Sequence, residues 1–126
     1  MNNIDILYAE ASEEILEQDK FIEYAKSQNL NIVEFTNSFA LELAQRFKDQ
    51  KYDFTFCDGV ANWLMSFMTG DWFLSVNENT VPSPAWDIFL AFDAGEYHHS
   101  GDDENVIPHE KYTMPEIVKI LSNENH

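Results

Sequence analysis

The sequence predicts a mainly α, compact single domain over residues 1–126, a helical bundle of about five helices. Three observations carry that reading. Apolar residues recur at spacings of three and four along most of the chain. Capping and stop residues bracket those runs. Alternation of period two is confined to Phe54-Thr55-Phe56, where a short strand is the competing reading. The length, 126 residues, suits one domain and can bury a core without cross-links.

Ile4, Leu7, Tyr8, Ala11 and Ile15 share one helical face, which Ile22 and Ala25 continue. Ser12 followed by Glu13 and Glu14 has the form of a second start, with a capping hydroxyl and carboxylates in the first turn. The N-terminal part is therefore one long helix or two pieces meeting near Ala11. Asn29 and Asn31 mark a turn around Leu30. Phe39, Leu43 and Phe47 then define an amphipathic helix, with Thr36 as its candidate cap.

The segment from Asp53 to Gly70 is apolar nearly all round, as expected of a central helix. Asp53 is placed to cap it and Gly70 to end it. Its polar stripe is Asp58, Asn62, Ser66 and Thr69. Trp72 to Val76 reads as a short extended or helical piece, and 77–82 as a loop. Ser83-Pro84 has the N-cap and N1 pattern for the helix AWDIFLAFDA, with Gly95 as the residue after its end. Residues 96–110 read as a surface loop long enough to imply function. Thr113-Met114-Pro115-Glu116 has the form of a capping box opening the last helix.

Charge is the strongest functional signal. The formal net charge is −16, from 23 acids against seven bases. Such a chain disfavours nucleic-acid backbones and anionic membranes and attracts a basic protein. The charge is also uneven. From Tyr52 to Glu110 there are eleven acids and no Lys or Arg, so local ion pairs cannot neutralise them. Such a segment repels itself, at a cost in stability that function would justify.

Enzyme and metal signatures are weak. His98 and His99 are adjacent rather than a helical turn apart, and no His-Glu-x-x-His occurs. Together with His109 and Asp102 or Asp103 they form the one candidate metal set, in a run unlike a calcium loop. The single cysteine, Cys57, sits on the apolar face of the central helix, where a thiol is an inert hydrophobe. It cannot form an internal disulfide, and the N-terminus has neither a basic leader nor a long apolar run. The expectation is a cytoplasmic protein with no cofactor, no metal and no catalytic residue.

A compact acidic helical domain of this size resembles the small immunity proteins of bacterial toxin–immunity systems. YDFTFCDGVANWL (Tyr52–Leu64) and WDIFLAFDAGEYHH (Trp86–His99) are similar to segments of short bacterial proteins of that kind. The resemblance is one of overall character and gives no residue a family role. It implies an inhibitor that binds a basic toxin domain such as a nuclease. On that reading Asp87, Asp93, Glu96, Asp102, Asp103 and Glu104 meet the partner's Lys and Arg, while Tyr97, His98 and Trp72 supply its anchor. The alternatives are a nucleic-acid mimic that blocks a DNA-binding protein, a metal protein or enzyme using the His98-His99 loop, and an oligomer-forming module.

Overall fold

The computed structural model describes residues 3–124. Those residues form seven α-helices and a π-helical turn, without a strand. In chain order they are α1 (Asn3–Ser12), α2 (Gln18–Ser27), α3 (Ile32–Lys48), α4 (Phe54–Met68), α5 (Asp71–Val76), α6 (Ala85–Ala94), the π turn (His109–Thr113) and α7 (Met114–Glu124). The mainly α class holds, with two helices more than the periodicity implies. Phe54-Thr55-Phe56 is the first turn of α4 rather than a strand, because Asp53 caps that turn by accepting from the Phe56 N–H at 2.9 Å.

α4 is the central element, packed against α1, α3, α5 and α6. Its Cys57, Val60, Ala61, Leu64 and Met68 are almost fully buried. The aromatic heart is Phe21, completely buried, with Phe35, Phe39, Trp63 and Phe67 at ring-centroid distances of 4.9–5.1 Å. Each such pair contributes about 0.5–1.5 kcal/mol beyond the area it buries. This cluster joins α2, α3 and α4. Polar tips within the core are satisfied: Tyr8 Oη donates to the Phe39 carbonyl and Trp63 Nε1 to the Leu16 carbonyl, both at 2.8 Å.

The chain uses unexpected residues at several helix ends. Ser12 does not open a helix. It is the last residue of α1, and its hydroxyl donates back to the Ala9 carbonyl. α1 and α2 are separate, and Ile15 lies exposed in the link, off the face its spacing predicts. Asn31, not Thr36, caps α3 by accepting from the Glu34 N–H, while Glu34 accepts from the Asn31 amide. Thr36 is buried, bonded to the Ile32 carbonyl. Gly70 stands at the N-cap of α5, beyond the Thr69 C-cap of α4.

The start of α6 is capped from another helix. Asn37 Oδ1, on α3, accepts from the Ala85 N–H at 3.0 Å, while Ser83 donates its hydroxyl to Asp87. Nor does Thr113 cap α7. It is fully buried and donates to the Ala91 carbonyl, which ties the π turn to α6 and lets that turn run directly into α7.

Two glycines mark close approaches rather than turns. A Cβ on Gly59 would lie 2.3 Å from the Ser12 carbonyl oxygen, so the end of α1 rests on the backbone of α4. A Cβ on Gly95 would meet Thr113 Oγ1 at 2.1 Å and His109 Cα at 2.9 Å. Gly95 has φ −91°, so it is needed for space and not for a left-handed conformation. That conformation is taken instead by Glu14, Asn29 and Gln50, at φ 59–62°, where α1, α2 and α3 end. Each is followed by an N–H that closes the terminal turn five residues back, such as Lys51 to the Arg46 carbonyl at 2.8 Å.

Candidate functional site

The segment free of Lys and Arg maps onto α4, α5, α6 and the 96–108 loop. Among the described residues, Asp102 alone of its eleven acids forms an ion pair. The other ion pairs among the described residues lie outside the segment: Lys20 with Glu10, Lys26 with Glu23, and Arg46 with Asp5 and Glu42. The Arg46 guanidinium also binds Tyr52 Oη and lies over the Tyr8 ring. Its hydrogen bond holds the Asp5 carboxyl below the usual carboxylate range.

The sequence-predicted contact residues do not form one surface. Asp87 and Asp93 are exposed on α6, and Tyr97, 72% exposed, lies just beyond it. Leu90, 46% exposed, sits on the same helix between the two aspartates. Asp103 and Glu104 are exposed on the loop, where Asp103 accepts from the Asn105 N–H. Trp72 packs with Phe67 and lines a cleft with Ile22, Ala25 and Ile32, which places it at the α2–α3 end of the bundle.

Asp102 and His98 have internal work. The Asp102 side chain is only 1% exposed. It accepts from Lys111 Nζ, Tyr112 Oη and the His99 N–H. These donors hold its carboxyl well below the usual range. The His99 ring stacks on Tyr112 at 3.7 Å and bonds to the Ala94 carbonyl; the His98 ring bonds to the Val106 carbonyl. Both imidazoles are thus engaged with backbone carbonyls, His98 within the loop and His99 at the end of α6. Among the described residues no group of three or more His, Cys, Asp or Glu side chains is arranged to hold a metal ion.

Glu96 belongs to an inner carboxyl cluster. It faces Asp58 on α4, with Asp93 and Glu14 close enough to act on the same group. Asp58 Oδ1 is buried and has no hydrogen-bond partner. Burial, the facing Glu96 carboxyl and the surrounding negative charge push Asp58 up to about 8. Burial and the same Glu96 contact also raise Asp93. At neutral pH the Asp58–Glu96 contact therefore retains a proton, since two like charges so placed cannot both ionise at low cost.

That proton makes stability depend on pH. The folded state binds a proton that the unfolded chain, with its ordinary Asp pKa of 3.8, has released. The contribution is full below the unfolded value and is lost as pH rises through about 8. Asp58→Asn keeps a donor for Glu96 and cannot ionise. Asp58 is only partly buried, so screening leaves an expected gain for this variant of about 1–2 kcal/mol near pH ~8.5, shrinking to nothing only as pH falls below the unfolded value of 3.8. Urea unfolding across that range measures it, and parallel profiles for the two proteins would refute the shared proton.

Cys57 is fully buried and its thiol is pushed up to about 12, first by burial and then by Asp53 and Asp58, so it is unreactive. No described helix is long and apolar enough to cross a membrane. Comparisons with family models, curated proteins and solved structures give no significant match. The functional reading therefore rests on the chain's own chemistry. The residues whose roles spacing did not signal are Glu14, which folding brings to Asp58, and His109 and Glu110, which the π turn brings to the start of α4.

Proposed function

We propose that this protein is an acidic inhibitor that binds and neutralises a basic protein, the toxin domain of a bacterial toxin–immunity pair, such as a nuclease. One observation supports it above others: ten of the eleven carboxylates in the Tyr52–Glu110 segment lack a cationic partner among the described residues. A folded domain that leaves so much like charge uncompensated accepts self-repulsion, and a basic partner relieves it. Asp87, Asp93, Asp103 and Glu104 are the exposed carboxylates of the contact, with Leu90 and Tyr97 as its apolar anchors. Asp102 and His98 shape the loop that carries Asp103 and Glu104.

Long-range attraction of this kind raises the association rate, as rapid neutralisation of a toxin requires. It also weakens with salt as the Debye length contracts from about 10 Å at 0.1 M to about 3 Å at 1 M. Co-expression with the product of the upstream gene tests the reading. A complex that co-purifies at low ionic strength and dissociates progressively with added salt is expected. Absence of association at low ionic strength would sink it.

A further inference from the structure

The end of α3, the start of α4 and the π turn enclose a cleft of about 350 Å³ that none of the predicted contact residues lines. That volume is at the small end of ligand-binding pockets. Its apolar walls include Tyr52, Phe54 and Met114, and His109 stacks on Phe54 at 4.8 Å with an interplanar angle of 12°. Asp53 and Glu110 stand exposed at its edge.

Three features distinguish this cleft from an ordinary surface dent. Its wall is a π-helical turn, a form found often at functional sites. That turn is held in place by the Thr113–Ala91 hydrogen bond and by the space at Gly95. Two neighbouring cations are also engaged elsewhere, Lys111 with Asp102 and Arg46 with Asp5 and Glu42. Asp53 spends one acceptor site on the Phe56 N–H, and a carboxylate has about four.

We propose that this cleft seats an arginine side chain of the basic partner, an inference that rests on the basic-partner reading above. The aliphatic stem lies along Phe54 and Met114, and the guanidinium reaches Asp53 and Glu110. Arginine fits better than lysine because its planar, weakly hydrated head both stacks on aromatic rings and forks to carboxylates. A lysine ammonium keeps its water and does neither as well.

The probe is the tripeptide acetyl-Gly-Arg-Gly-amide, with its lysine counterpart as control, titrated into the full chain at low ionic strength. The readouts are the Met114 methyl and His109 ring resonances. Saturable shifts at both are expected with the arginine peptide, with binding on the order of tenfold weaker in Asp53→Asn/Glu110→Gln, the loss of two largely exposed ion pairs. Asn caps a helix as well as Asp, so α4 is retained. Equal binding of the two peptides would overturn the arginine assignment. Shifts scattered over α6 and the 96–104 loop, with Met114 and His109 unmoved, would remove the cleft but leave the basic-partner reading standing. No binding at all would likewise remove the cleft as an arginine seat, while the basic-partner reading stands or falls on the co-expression experiment. Changes at Met114 and His109 on diluting the protein alone would assign the cleft to a second copy of the chain instead.

Discussion

Gly59→Ala is expected to destabilise the fold by about 2 kcal/mol or more, although helix propensity alone predicts the opposite sign. Alanine is favoured over glycine by about 1 kcal/mol inside a helix. At Gly59, however, the new methyl would stand 2.3 Å from the Ser12 carbonyl oxygen and 3.0 Å from its carbon. Both are backbone atoms, so no side chain can rotate aside, and α1 must move away from α4. α1 packs chiefly on this central helix, and its Leu7, Tyr8 and Ala11 are buried in the core. Overpacking costs about 1–3 kcal/mol, and a backbone–backbone clash belongs at or above the top of that range. A fall in Tm of roughly 8 °C follows for a domain of this size. Gly70→Ala is the control, because its Cβ would approach only to 3.3 Å. A Gly59→Ala protein more stable than the parent would show that α1 does not pack as described.

Asp102→Ala is expected to release the 96–108 loop while the helical core stays folded. One buried carboxylate holds three donors there, from His99, Lys111 and Tyr112, and removing it leaves those groups unpaired. Amide exchange through the loop should accelerate on the order of tenfold or more, with protection in α3 and α4 unchanged. The tether also has a defined pH dependence. Asp102's folded value lies below its unfolded value of 3.8, so its contribution is present above that value and is lost only as pH falls beneath it. The loop therefore stays closed through neutral pH and loosens in acid. Acceleration spread evenly across all helices would mean that Asp102 supports the whole fold rather than the loop.

These two positions show where sequence reasoning works and where it stops. Phe39, Leu43 and Phe47 on α3, and Val60, Leu64 and Met68 on α4, are buried as their spacing implies, because a helix repeats its face every three to four residues. Asp53 caps α4 for an equally local reason. Other ends depend on partners far along the chain. Asn37 caps α6 from 48 residues away, and Thr113 is drawn into a bond with Ala91, 22 residues back, instead of capping α7. The use of Glu14, Asn29 and Gln50 in left-handed positions also hid three helix ends that glycine would have announced. Of the candidate contact surface, the excess of unpaired charge was legible from composition. Spacing could not reveal that Asp102 turns inward, that Asp58 meets Glu96, or that a π turn closes a cleft beside Asp53.

The central claim is that the uncompensated carboxylates of α6 and the following loop bind a basic protein. Its most direct test compares two variants that lose the same charge. One carries Asp87→Asn, Asp93→Asn, Asp103→Asn and Glu104→Gln; the other carries Glu13→Gln, Glu17→Gln, Asp19→Asn and Glu23→Gln, acids exposed outside the segment. Affinity for the product of the upstream gene is measured for both across a salt series. The first variant is expected to bind on the order of tenfold or more weakly at low salt and to show a flatter salt dependence, while the second stays near the parent. Equal losses in the two variants, or none in either, would contradict a localised acidic contact.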